Sequence, residues 1–206
     1  MSIQEFKPRQ FQQVPPVVKY ILIINVVLFA IKSFMSHTID LDQYLDLFPV
    51  NSPYFRPHQF ITYMFMHADV THIFLNMFGL YMFGSILENI WGPKRFINFY
   101  LLCGLGAAFL QTGIYYFNHQ AAILLGASGA LFGLLVAFAM MFPNTELQLY
   151  FVIPVKAKYL ILGYTLYELF NGFFAHDNIA HFAHLGGLVV GVIIMLIWKR
   201  NKTFFY

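Results

Sequence analysis

The sequence predicts an all-α membrane protein, a bundle of six transmembrane helices with both termini cytoplasmic. Three observations carry that expectation. Of the 206 residues, 59% are hydrophobic and only 10% charged, whereas soluble domains carry about a quarter charged residues. Six apolar stretches of helical length alternate with short segments rich in proline, glycine and charge. Crossing the hydrocarbon takes about 20 such residues, so the length suits one six-span domain and no second folded unit. Ten of the twelve Lys and Arg then fall on one side, at Lys7, Arg9 and Lys19, at Lys94 and Arg95, at Lys156 and Lys158, and at Lys199, Arg200 and Lys202. An excess of cations marks the cytoplasmic face.

Residues 1–16 read as a cytoplasmic juxtamembrane tail closed by Pro15-Pro16, through which no helix continues. The first span runs from Val17 to about Phe34. Its charged flank is like that of a signal peptide, but no small-residue cleavage site follows, so it is expected to be retained. Residues 36–66, with Asp40, Asp42, Asp46, Pro49, Pro53 and Pro57, form an extracytoplasmic loop of a length that usually has a function. The second span, about 71–90, opens polar and ends at Trp91-Gly92-Pro93-Lys94-Arg95, an aromatic, a breaker and two cations suited to an interface. The third span is 96–117 and the fourth about 128–142; Pro143 and Pro154 bracket a loop; the fifth is about 159–174 and the sixth 180–198. Residues 199–206 form a second cytoplasmic tail. Cys103 is the single cysteine, so no intrachain disulfide forms. The positive charges come in twos and threes rather than in a basic stripe, which argues against nucleic-acid binding.

Within this apolar chain, Leu125-Gly126-Ala127-Ser128-Gly129-Ala130-Leu131-Phe132-Gly133 sets one hydroxyl among glycines. Taken alone, it reads as helix packing, since small residues let membrane helices approach closely. The topology changes that reading. Spans two, four and six all run from outside to inside, so His72 and Asn76, Ser128, and His184 share one depth near the outer face. Ionisable groups inside a membrane are costly enough to be functional by default.

The chemistry such a set supports is acyl transfer. Ser128 is the candidate nucleophile, and a neutral His184 imidazole is the candidate general base that removes its proton. His184, Gly187 and Gly191 lie on one helical face, and Gly129 and Gly133 form a matching small-xxx-small pair. Two glycine faces pressed together bring the imidazole onto the hydroxyl. An oxyanion finds donors in the Ser128 backbone N–H, which has no intrahelical partner at a helix start, and in the His72 ring and Asn76 amide. His184 has no carboxylate beside it on its own helix, so the expectation is a Ser–His dyad rather than a triad. Glu168, in span five, is expected to be protonated or structurally paired. His181, one turn nearer the surface, reads as a hydrated rim residue and as the second choice for the base. Glu88 is expected to tie helices or the following loop together.

These residues resemble the rhomboid intramembrane serine proteases: His72-x-x-x-Asn76 in the second span, Gly126-Ala127-Ser128-Gly129 in the fourth, and His184 with Gly187 and Gly191 in the sixth. The similarity extends to Phe55-Arg56-Pro57-His58-Gln59-Phe60-Ile61-Thr62-Tyr63-Met64-Phe65-Met66-His67 and to Glu88-x-x-Trp91-Gly92, covering about residues 17–198. The resemblance implies a six-helix rhomboid-like bundle that cleaves transmembrane segments of other proteins near the outer face without a cofactor. It implies Ser128 as nucleophile, His184 as base, and His72 and Asn76 helping to bind the oxyanion. Residues 36–66 would lie partly in the outer leaflet, and span five with the loop after it would gate substrate entry. Two positions depart from the pattern: His58 stands where many relatives carry Trp, and Phe132 where some carry Tyr against the base.

Three rival readings exist, of which a small transporter is disfavoured because no repeat of hydropathy between the two halves is apparent. A membrane metal hydrolase would draw on His67, His72, His181 and His184, but His67 and His72 are five apart, poorly placed for one helical face, and no His-Glu-x-x-His is present. The expectation is therefore no metal. A non-catalytic rhomboid-like binder or chaperone of membrane proteins has no need of both Ser128 and His184, which this chain retains. The expected partners are transmembrane protein substrates and the lipid bilayer. No long transit peptide is evident, so a bacterial inner membrane is the expected location.

Overall fold

The computed structural model describes residues 11–35, 38, 40–119, 122–149, 152–174 and 180–201. The sequence readings of Lys7, Arg9 and most of the first tail, and of Lys202, lie outside the described residues.

The chain builds α1 (Pro16–Met35), α2 (Leu41–Leu45), α3 (Gln59–Thr62), α4 (Val70–Gly79), α5 (Ser85–Trp91), α6 (Pro93–Phe117), α7 (Ser128–Met141), β1 (Glu146–Leu149), β2 (Ile153–Lys156), α8 (Ala157–Phe174) and α9 (His181–Arg200). Among the described residues, four rods are long and apolar enough to cross a bilayer: Pro16–Met35, Val70–Trp91, Pro93–Phe117 and His181–Arg200. α7, expected as a full span over 128–142, is apolar but has 14 residues. α8 has 18 residues and starts at Ala157, two residues before the expected 159. Phe74 and Phe170 are each 63% exposed, and large apolar side chains stand out along α1, α8 and α9. Such a surface needs lipid around it.

The core is a triplet of α6, α7 and α9. α7 buries Gly129, Ala130, Gly133, Leu134, Val136, Ala137, Phe138, Ala139 and Met141, and a helix apolar on every face is one enclosed by others. Close approach depends on glycine. A side chain on Gly187 would overlap the backbone of Gly129 in α7, and one on Gly191 would come within 3.0 Å of Gly133 Cα. Gly133 in turn abuts Cys103 of α6 and the Gly187 carbonyl.

The peripheral parts are pinned by buried polar groups. Glu88 accepts hydrogen bonds from Val17 N at 3.0 Å and Val18 N at 2.8 Å. Its carboxylate thus caps the first turn of α1, whose amides have no intrahelical partners, and so ties α5 to α1. At the same end, Trp91, Phe99 and Trp198 pack ring against ring, with the Arg95 guanidinium 4.1 Å above the Trp198 ring.

The structure departs from the sequence reading in three places. The second rod is not uniformly α-helical: Leu80–Gly84 forms a π turn between α4 and α5, next to Gly79, which faces Leu131 of α7. The segment bracketed by Pro143 and Pro154, expected as a loop, is an antiparallel hairpin pairing Glu146 with Lys156 and Leu149 with Ile153. Pro154 is tolerated because both strands are edges. Residues 40–66 of the expected loop are also structured. Gln59, fully buried, accepts from Phe48 N and Arg56 N and donates to the carbonyls of Gln43 and Tyr54. His58 Nε2 bonds the Tyr44 carbonyl at 2.8 Å and so anchors α3 to α2. Leu47 and Leu124 exchange two backbone hydrogen bonds of 2.9 Å, joining this loop to the strand-like segment that leads into α7.

Candidate active site

Ser128 is the first residue of α7, and the chain reaches it through Gly126, whose φ of +116° lies in the left-handed region. Glycine is needed there for space as well as conformation. A Cβ on Gly126 would lie 2.7 Å from His72 Nε2 and 3.8 Å from Ser128 Oγ, so the imidazole and the hydroxyl flank the same point. Tyr63 fixes the approach, its carbonyl accepting from Gly126 N at 2.9 Å while its hydroxyl donates to the Gly104 carbonyl at 2.7 Å.

His184, in the first turn of α9, places Nε2 2.8 Å from Ser128 Oγ. Three contacts determine where its ring lies. The Gly187–Gly129 and Gly191–Gly133 approaches set the distance between the two helices. Gln111 of α6 accepts from Ala183 N at 2.8 Å and so completes the first turn of α9. Phe132, one turn below Ser128, stacks flat on the imidazole with centroids 4.4 Å apart and planes 9° from parallel.

His72 and Asn76 stand on the first two turns of α4, which Asp69 caps by accepting from His72 N at 2.9 Å. His72 Nδ1 accepts from Ala68 N at 3.3 Å, which leaves Nε2 as the protonated, donating nitrogen on the side of Gly126. Asn76 Nδ2 donates to the His72 carbonyl at 2.9 Å, and Asn76 Oδ1 is buried without a hydrogen bond. Beside them, outside the spans, burial holds the His67 ring at a pKa of about 3, helped by neighbouring His72, so that ring is neutral. The two rings meet edge to face at 4.9 Å.

His181 does not lie on a hydrated rim. It is 4% exposed, and its Nδ1 is 2.6 Å from Glu168 Oε2. The same carboxylate oxygen is 3.0 Å from His184 Nδ1, although the ring N–H does not point straight at it and forms no aligned hydrogen bond. His184 therefore has an acid behind it, carried by α8 rather than by its own helix, and Glu168, expected to be protonated or structurally paired, is paired with two histidines. Glu168, His181 and His184 are also the described side chains whose donor atoms, within 4.8 Å of one another, are able to hold a metal ion. His67 and His72 do not belong to that group. A surface cavity of about 340 Å³ lies elsewhere, between Leu47–Asn51 and the end of α6 around Tyr115 and Tyr116.

Sequence reasoning did not find the roles of Tyr63 and Gln111. Each bonds to backbone across the fold, and that leaves no periodic mark. The Glu168 contact had one faint signal, an acid inside an apolar span 13 and 16 residues before two histidines.

A family model described as the Rhomboid domain matches residues 54–201. Among curated proteins, the chain is 32% identical to "RHOMBOID-like protein 12, mitochondrial" of Arabidopsis thaliana over 71% of this chain and 47% of that protein. It is 29% identical to "Rhomboid-like protein 11, chloroplastic" of the same plant over 70% of this chain and 53% of the relative. The chain thus spans about half the length of these relatives. It is 27% identical to the Bacillus subtilis protein named "Putative rhomboid protease YdcA", over 98% of both chains.

Proposed function

Since this chain belongs to the rhomboid family, we propose that it is an intramembrane serine endopeptidase that hydrolyses peptide bonds in or near transmembrane segments of other membrane proteins. The supporting observation is the 2.8 Å contact between His184 Nε2 and Ser128 Oγ, made by side chains from two different helices. Within this reading, residues 17–198 form one six-span domain with both termini cytoplasmic. Residues 36–66 lie on the extracytoplasmic side, and the chain resides in a bacterial inner membrane.

The reaction proceeds in two halves. Ser128 Oγ attacks the scissile carbonyl carbon as its proton passes to His184 Nε2, and the carbonyl electron pair becomes an oxyanion. The backbone N–H of Ser128 and the His72 Nε2–H face the place where that charge develops, with the Asn76 amide one turn below His72. Collapse expels the amine, which takes the proton from His184. Water then repeats the sequence on the acyl-enzyme and frees Ser128. No step calls for a cofactor. A peptide bond inside a helix is shielded by its own hydrogen bonds, so substrates need a segment that unwinds readily, one with glycine or other weak helix formers.

The test is labelling by a serine-directed fluorophosphonate together with cleavage of a model transmembrane substrate. Wild type is expected to label and cleave. Ser128→Ala is expected to do neither, and His184→Ala to lose cleavage while remaining folded. A folded wild type that binds the substrate but neither labels nor cuts would leave the non-catalytic binder as the reading.

A further inference from the structure

We propose that Glu168 is the positioning residue of this site, an acid that orients the histidine of the serine–histidine pair. The inference rests on the proteolytic reading and deepens it. The two nitrogens of the His184 ring face opposite partners: Nε2 is 2.8 Å from Ser128 Oγ and Nδ1 is 3.0 Å from Glu168 Oε2. An ionised carboxylate only accepts, so it favours the tautomer with the proton on Nδ1. That tautomer leaves the Nε2 lone pair free for the serine proton.

A second histidine grips the acid. His181, one turn before His184 on α9, brings Nδ1 to 2.6 Å from the same oxygen. Glu168 is 5% exposed, and a carboxylate so buried stays ionised only when it is held by such donors. His181 therefore locks Glu168 in α8 against α9 with its oxygen directed at His184. The Nδ1 contact of His184 is close but bent. Phe132, flat against the ring, leaves rotation within the ring plane as the free motion. A small rotation of that kind straightens the contact when substrate seats, as catalytic hydrogen bonds commonly do. During attack the proton moves from Oγ to Nε2 and goes no further. Glu168 keeps its charge and stabilises the imidazolium beside it.

The experiment uses the full chain in lipid nanodiscs, with ¹⁵N-histidine NMR and steady-state cleavage on wild type, Glu168→Ala and the near-isosteric Glu168→Gln. In wild type, His184 is expected to carry its proton on Nδ1. Both variants are expected to shift His184 towards the Nε2–H tautomer and to lose on the order of a hundredfold in kcat with KM changed less than about threefold. If Glu168→Ala does not fold, Glu168→Gln decides. The proposal is overturned if His184 keeps its wild-type tautomer in the variants, or if kcat stays within about threefold of wild type. A wild type that neither labels nor cleaves would remove the proteolytic reading, and the tautomer would still report whether Glu168 orients His184.

Discussion

Phe132 lies flat on the imidazole of His184, the ring centroids 4.4 Å apart and the planes 9° from parallel. The aromatic ring covers one face of the imidazole with a rigid apolar wall. An aromatic pair of this kind contributes about 0.5–1.5 kcal/mol beyond the area it buries. Phe132→Ala is accordingly expected to lower kcat by roughly tenfold, with KM little changed, because the ring gains orientations that do not face Ser128. Phe132→Tyr keeps the stack and is expected to remain within about threefold of wild type. Steady-state cleavage of a model transmembrane substrate measures both, and equal losses in the two variants would deny the stacking a role.

The Gly187 contact predicts a loss of stability. A methyl group there overlaps the Gly129 backbone, which cannot move without separating α7 from α9. Gly187→Ala is expected to cost about 1–3 kcal/mol or more, read as a lower Tm in detergent, together with lost cleavage as His184 retreats from Ser128. Gly163→Ala is the control, since nothing lies within 4 Å of that position in α8. There the gain in helix propensity, about 0.5–1 kcal/mol, is expected to raise Tm slightly.

Gln59 predicts how the outer loop fails. Its side chain satisfies four backbone groups of residues 43–56 while fully buried, and orphaning such groups costs about 1–3 kcal/mol each. Gln59→Leu keeps the volume and removes the bonds. Limited proteolysis is expected to cut within residues 40–58 of the variant well before wild type, while the α6–α9 core resists equally in both.

Asp46 predicts a pH dependence. It is 4% exposed, and burial, reinforced by Asp42 and Asp40 against the pull of Lys32, raises its pKa from 3.8 to about 7. Between those values the folded chain holds a proton that the unfolded chain has released. Its contribution to stability is full below about pH 4 and is lost as pH rises towards 7. His67, its pKa held down at about 3, acts oppositely in acid, so the difference between wild type and Asp46→Asn isolates the carboxyl. The variant's Tm is expected to gain on wild type as pH increases from 4 to 7. Parallel Tm curves would refute the assignment.

The sequence made the long rods readable wherever an apolar run met a hard stop. Gly92-Pro93 divides α5 from α6 because glycine takes the left-handed turn, φ +79°, and proline opens the next helix. Ser128 stood out because a hydroxyl among glycines is conspicuous in an apolar chain. The hairpin at 146–156 did not, since two four-residue strands containing a proline leave almost no alternating pattern. The π turn at 80–84 hides inside an unbroken apolar run. Glu168 was visible as an oddity, yet nothing along the chain says which way it points around α8. Only the packing of α8 on α9 turns it towards two histidines instead of lipid.

α7 has 14 residues, about 21 Å of rod at 1.5 Å per residue, standing among neighbours that approach or exceed the roughly 30 Å of a hydrocarbon layer. α7 is a short post beside taller ones, and Ser128 is its first residue. The proposed hydrolysis consumes water that lipid does not supply, and a short helix with Ser128 at its end shortens the distance over which that water has to be brought. On that reading a thicker bilayer lengthens the path from bulk water to Ser128 and a thinner one shortens it, so membrane thickness is expected to act on the reaction without touching any residue that performs it.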